Sequence, residues 1–191
     1  AVNAIELISN IAPISEIWTA RHAITQNPAY IYDEQYAGKT TLEKIKEISS
    51  ELAKKNVEGI LISALDEIAW TLNLRGNDVK CNPVTIGYLL ITQKKAVFFI
   101  APGKVTNGVR SYLKAQEVEL ENYNDIEKYV STVRVTPILL NPQQTNYTIY
   151  SSIHPEAEII RDASPVAFLK AIRNEQEIKG VHNAMRKDGV A

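Results

Sequence analysis

Few residues in this 191-residue chain have the types and spacing that chemistry needs. A metal centre requires His, Asp and Glu side chains to converge, commonly at short helical or strand spacing. The three histidines, His22, His154 and His182, stand far apart, and none forms a recognisable metal motif with its neighbours. They read as surface or packing histidines. Cys81 is the single cysteine and precedes Asn82-Pro83 with no histidine nearby, so it reads as a free, non-catalytic thiol. There is no GxGxxG or Walker sequence to cradle a phosphate, and no G-x-S-x-G nucleophile turn. One segment stands apart, Ser63 to Pro83. Within it Arg75 follows Leu74 and precedes Gly76, so a tight turn projects a guanidinium fork suited to a carboxylate. That carboxylate belongs either to a ligand or to Asp66, Glu67 or Asp78, in which case Arg75 pins its own loop. Asn73, Asp78 and Asn82 are weaker candidates on the same loop.

The elements that must position this loop follow from periodicity. Leu42, Ile45, Ile48 and Leu52 line one face of a helix, and Thr40 with Glu43 has capping-box spacing. Lys54-Lys55-Asn56 ends it, and Glu58 to Ile62 is a short buried strand. Ser63 is placed to cap a second helix with Leu65, Ile68, Ala69 and Leu72 on its apolar face, stopping near Gly76, which can take positive φ. Ile86 to Thr92 and Lys95 to Ile100 form a hairpin around Gln93-Lys94. A helix over Val105 to Ala115, with Val109, Tyr112 and Leu113 inward, leads to a strand over Val118 to Tyr123. Then come a helix at Ile126 to Val133, a strand at Thr136 to Leu140, a helix at Thr145 to Ser152 and a strand at Glu158 to Arg161. Pro165 to Ala171 reads as a link to a last helix, Glu175 to Gly189. That helix carries Ile178, Val181, His182 and Met185 on one face, and Glu175, Glu177 and Lys179 as a solvated one. Strands alternate with helices and one hairpin interrupts them, which predicts an α/β, three-layer α-β-α domain with a mixed sheet.

Composition narrows the partners. Lys plus Arg is 21 and Asp plus Glu 22, a formal net charge of −1, so the electrostatic argument for nucleic acid or an anionic membrane surface is missing. Hydrophobic residues are 45% and charged residues 23%, an ordinary globular balance. The densest apolar run, Ala96 to Ala101, is far shorter than the roughly 18 residues of a transmembrane helix. Ala1-Val2-Asn3 offers no basic region ahead of an apolar stretch, so no signal peptide is read. A lone cysteine fits a reducing compartment, and the cytoplasm is the expected location. The predicted strands carry almost no Asp, which argues against a ribonuclease-H-like nuclease.

Leu65 to Val84, LDEIAWTLNLRGNDVKCNPV, resembles the middle domain of three-domain Xaa-Pro aminopeptidases (aminopeptidase P, cytosolic type). In that family a Leu-Asp-Glu-Ile-Ala-Trp helix leads to Asn-Leu-Arg-Gly and then Asn-Pro-Val, here Leu65 to Trp70, Asn73 to Gly76 and Asn82 to Val84. Glu16 to Arg21 resembles the segment leading into this domain. Ala171 to Gly180, continuing through Met185 to Gly189, is similar to the opening of the catalytic domain.

The resemblance implies a creatinase/prolidase N-terminal domain, ribonuclease-H-like in layers but without nuclease residues. It implies a lead-in over 1–39, the α/β domain over 40–172, and the first helix of a catalytic "pita-bread" domain over 173–191. The parent enzyme releases the N-terminal residue from peptides with proline second. It uses two divalent metal ions, manganese in the usual case, held by residues beyond this chain. The expected role here is non-catalytic: to wall the active-site cleft and limit substrate length, with no metal ligand and no catalytic residue of its own. Arg75, with Asn73, Asp78 and Asn82, is then expected to face that cleft. The expected partners are the enzyme's own catalytic and preceding domains and a proline-containing peptide, with a homodimeric parent left open. The alternative is a stand-alone peptide- or protein-binding module of the same fold.

Overall fold

The computed structural model describes residues 14, 17–20 and 25–190. Glu16, Arg21 and His22, named above, lie outside the described residues. In chain order the elements are β1 (Tyr30–Ile31), α1 (Glu34–Ala37), α2 (Thr41–Lys54), β2 (Gly59–Ile62), α3 (Leu65–Thr71) and β3 (Leu74–Arg75). Then follow β4 (Gly87–Thr92), β5 (Ala96–Ile100), α4 (Asn107–Ala115), β6 (Val118–Asn122), α5 (Ile126–Thr132) and β7 (Ile138–Leu140). The last are α6 (Tyr147–Ser152), β8 (Ile159–Arg161), α7 (Pro165–Ala171) and α8 (Glu175–Asp188).

Local signals start most of the helices. Thr40 accepts from the Glu43 N–H, and the Glu43 carboxylate accepts from the Thr40 N–H, so α2 opens with a complete capping box. Two expectations fail. Ser63 does not cap α3: the helix starts one residue later than expected, Ala64 holds the cap position without a side-chain bond, and the Ser63 hydroxyl is buried without a partner. Pro165 to Ala171 is a helix, not a link. Ser164 accepts from the Val166 N–H and Pro165 stands at the first helical position, where its fixed φ suits a helix start.

Six strands form a mixed sheet in the order β6-β5-β4-β2-β7-β8. β4 runs antiparallel to β2 and β5, as the hairpin requires, and the other pairs are parallel. The sheet separates two apolar cores, and period-two alternation sorts side chains between them. Ile60, Ile62, Leu89, Ile91, Phe98 and Leu139 point to the face covered by α2, α3, α4 and α7. Leu61, Leu90, Val97, Phe99, Ile138 and Leu140 point to the opposite face, under α5 and α6. The architecture is therefore three-layer α/β with helices on both sides. Phe98 and Phe99 are both fully buried, one in each core, each contributing about 2 kcal/mol or more of apolar burial.

Two features outside the sheet bear on the candidate loop. β1 pairs antiparallel with β3, placing Tyr30 opposite Arg75 and Ile31 opposite Leu74. α8 meets the body only through its first turn. Asn174 and Glu177 are half-covered, whereas Ile178, Val181, His182 and Met185 are exposed, so the apolar face of this helix does not pack on the domain.

Candidate functional site

The site lies where α3 ends. The chain must turn sharply from the helix into β3, and Asn73 does so with φ of 49°, a left-handed conformation that Asn tolerates better than most residues. Gly76, expected to supply positive φ, does not. Its missing side chain serves a close approach instead, since a Cβ there would lie 2.9 Å from Thr85 Cβ and 3.0 Å from the Val84 carbonyl oxygen. Asn73 is fully used: its Nδ2 donates to the Lys39 carbonyl (2.8 Å), its Oδ1 accepts from Lys44 Nζ (2.6 Å), and its own carbonyl accepts from the Tyr32 N–H (2.7 Å). It is 1% exposed and shapes the turn rather than meeting a ligand.

Arg75 has no ion pair with any described carboxylate. Asp66 pairs with Lys170 and Asp78 with Lys104, and Glu67 is buried elsewhere with Oε2 unpartnered, so the structural pairing considered for Arg75 is not realised. Its Nη1 donates to the carbonyls of Ala69 (2.6 Å) and Leu74 (2.8 Å), and its guanidinium lies over the Tyr32 ring, 4.4 Å from the centroid. The side chain is thus half-buried and stacked, with hydrogen bonds only to neutral acceptors. Burial disfavours its charge, which Tyr32 and Tyr30 partly restore.

A second cation sits beside it. Lys44 is 1% exposed, donates to the Trp70 carbonyl (2.8 Å) and to Asn73, and stands 4.5 Å from the centre of the Trp70 ring. Burial pulls its pKa from 10.5 down to about 8, opposed by the charge of Glu177 and assisted by Arg75. The Trp70 indole N–H donates to Glu177 Oε1 (3.3 Å), which links the cluster to α8. Trp70 belongs to the core, as expected, but its polar edge reaches out of it.

The other end of the loop is closed. The Asp78 carboxylate receives the Lys104 ammonium, the Ile86 N–H (2.6 Å), the Thr85 hydroxyl (3.0 Å) and the Thr25 hydroxyl (2.6 Å). Burial alone would raise its pKa; the Lys104 bond and the three other donors outweigh that and hold it below the usual range. Both charged side chains are at most 1% exposed. Asn82 is exposed, makes an isolated backbone bridge to Val79, and has no side-chain hydrogen bond among the described residues. The four candidate residues therefore do not form one constellation: Asn73 and Arg75 belong to the aromatic cluster, Asp78 to the buried pair and Asn82 to the loop tip.

Among the described residues no three His, Cys, Asp or Glu side chains gather to hold an ion. His154 caps its own turn, accepting from the Glu156 N–H, and His182 is exposed on α8.

Lys44 and Tyr32 were missed as members of the site, although a signal existed for the lysine. It stands four residues before Ile48 and eight before Leu52, on the buried stripe of α2, where a cation needs a built environment. Glu177, read as part of a solvated face, is instead half-covered and bonded to Trp70.

The family model of the creatinase/prolidase N-terminal domain matches residues 20–177, and the chain belongs to that family. It is 32% identical to the "Probable Xaa-Pro aminopeptidase P" of Coprinopsis cinerea over 92% of this chain but 30% of that protein. It is 33% identical to the "Xaa-Pro aminopeptidase ApepP" of Drosophila melanogaster, over 93% of this chain and 30% of the relative. Among solved structures it superposes on the X-prolyl aminopeptidase of Caenorhabditis elegans, described as a cytosolic enzyme with a di-nuclear active site. The TM-score is 0.82 at 27% identity, covering 89% of this chain and 29% of that one. The chain thus spans about a third or less of each of these three proteins. No helix among the described residues is long and apolar enough to cross a membrane.

Proposed function

We propose that this chain is the non-catalytic middle domain of a metal-dependent Xaa-Pro aminopeptidase. It walls the active-site cleft and limits which peptides reach it. The observation that carries this reading is Arg75: a half-buried guanidinium, stacked on Tyr32, with no carboxylate partner among the described residues. A protein seldom maintains such a group without an anionic partner to meet, and a peptide supplies a carboxylate as well as carbonyl oxygens. Its Nη1 donates to the backbone carbonyls of Ala69 and Leu74, which fix the direction of the guanidinium. In this reading residues 1–39 lead in from a preceding domain, 40–172 form the wall, and 173–191 open the catalytic domain. That domain would hold two divalent metal ions, manganese in our reading, in a cytosolic enzyme, as the C. elegans relative is described. No residue described here takes part in a step at those metals.

Two measurements test the proposal. The 191-residue chain with added manganese is expected to leave Xaa-Pro peptides intact while the full-length enzyme cleaves them; turnover by the chain alone would overturn the non-catalytic role. In the full-length enzyme, Arg75→Ala is expected to lower kcat/KM about tenfold for peptides long enough to reach it, the worth of one lost charge-assisted hydrogen bond. Equal kcat/KM for variant and wild type on peptides of every length would remove Arg75 from the cleft.

A further inference from the structure

α8 is 14 residues long and touches the domain with one turn. The residues of that turn do two jobs at once. Asn174 Oδ1 accepts from the Gln176 and Glu177 N–H groups, and Glu177 Oε2 accepts from the Asn174 N–H, which makes a complete capping box. The atoms left over face the domain. Asn174 Nδ2 donates to the Ala37 carbonyl at the end of α1 (2.8 Å), and Glu177 Oε1 accepts from the Trp70 indole (3.3 Å). Gly38, which terminates α1 at φ of 70°, leaves room for the Asn174 carboxamide; a Cβ there would stand 2.7 Å from Asn174 Cγ. Trp70 is held from behind by the Lys44 ammonium over its ring, and Lys44 is itself tied to Asn73 beside Arg75.

We infer that Gly38, Trp70, Asn174 and Glu177 form a latch that sets the direction of α8, and thereby of whatever domain α8 carries. Trp70 and Gly38 are then positioning residues for the reaction of that domain. Leverage makes small changes count. Fourteen residues span about 21 Å, so a tilt of about 10° at the first turn displaces the far end by about 4 Å. Displacement on that scale misplaces a cleft wall relative to bound peptide. The latch also joins two things in one contact set: the orientation of α8 and the Lys44–Asn73–Arg75 cluster. The bearing on the reaction rests on the proposed function; the latch itself does not.

Two readouts separate the parts. Cys81 is exposed and is the chain's single cysteine, so spin labels at Cys81 and at Lys187→Cys report the direction of α8 through their distance distribution. Trp70→Phe keeps an aromatic side chain but removes the indole N–H together with the pyrrole part of the ring, so it also costs some packing in the core. Glu177→Gln, at the domain surface, removes the charge without disturbing the core. Both, and Gly38→Ala, are expected to broaden or shift the distribution relative to the otherwise wild-type chain. An unchanged distribution in all three folded variants would overturn the latch. In the full-length enzyme, Trp70→Phe and Glu177→Gln are expected to change the ratio of kcat/KM between a long and a short Xaa-Pro peptide at least threefold. A structural defect alone would lower both together. Label distances that respond while this ratio stays fixed would overturn the positioning role, whatever Arg75→Ala shows. A latch that responds alongside a silent Arg75→Ala would instead sink the cleft-wall role of Arg75 and leave the latch standing.

Discussion

The two ends of the loop between α3 and β4 hold buried cations in opposite ways. At one end Lys104 meets the Asp78 carboxylate, and three further donors complete that carboxylate's shell. At the other, Lys44 and Arg75 lie close enough to repel, and both are met by carbonyls, an amide and aromatic faces rather than by a described carboxylate. The first arrangement is saturated, and its chemistry is directed inward to fix the loop. The second is positively charged, and although Lys44 is covered, Arg75 is only half-buried, so an anionic or carbonyl-bearing group from outside would improve it. The contrast separates a fastening from a surface prepared for contact, within a few residues of one another.

The largest effect tests the fastening. Asp78→Asn leaves Lys104 buried without its counter-charge, and breaking a buried pair from one side costs about 3–5 kcal/mol. Urea unfolding is expected to show a loss of that size, against about 1 kcal/mol or less for Arg75→Ala at the open end. The Asp78 pKa is held low in the folded state, so its contribution is present above the unfolded carboxylate value of about 4 and is lost as pH falls through the lower folded value. The wild-type chain should therefore lose more stability on acidification than Asp78→Asn does. Equal costs for the two substitutions would erase the distinction between the ends.

Lys44 gives the open end its own signature. The unfolded chain holds the Lys44 proton up to about pH 10.5, whereas the folded chain releases it near 8. Between those values the unfolded state binds more protons, so this group makes folding more favourable as pH rises. The gap from 10.5 to about 8 corresponds to about 3 kcal/mol across the window. Lys44→Met should abolish that rise. The difference between the two pH profiles, followed by denaturant midpoint, is the quantity to measure. A flat difference would mean that the charge of Glu177 fully offsets the burial of Lys44, and the open end would be closed after all.

How much of this could be read from the sequence divides along the same line. The sheet and its covering helices were legible because burial on a strand or a helix face leaves a period, and the alternation through Val97, Phe98 and Phe99 matches the separation into two cores. The capping box at Thr40 was legible because its partners lie three residues apart. Ser63 and Gly76 misled for a local reason: residue type names what a position can do, and the turn after β2 and the packing against Thr85 decided otherwise. The Asp78–Lys104 pair spans 26 residues and the Trp70–Glu177 bond spans 107, and neither leaves a spacing to detect. Arg75 was found because its loop carries a specific motif. Its partners were not, because Tyr32 reaches it only through the pairing of β1 with β3.

The smallest expected effect sits at the loop tip and decides which way the loop faces its partner. Asn82 is exposed, with no side-chain hydrogen bond among the described residues, and neighbouring Cys81 sits at φ of 62°. Asn82→Ala should shift stability by less than about 0.5 kcal/mol, as for other surface positions without a defined contact. If the aromatic cluster is the surface that meets peptide, the same substitution in the full-length enzyme should leave kcat/KM within about twofold, since a lost contact worth 1.4 kcal/mol would be a factor of ten. A several-fold fall with stability intact would place the contact at the tip instead of at Arg75. The comparison would then reverse: the Asp78–Lys104 pair would be the brace of a binding loop, and Lys44 against the Trp70 ring would serve only to hold α8.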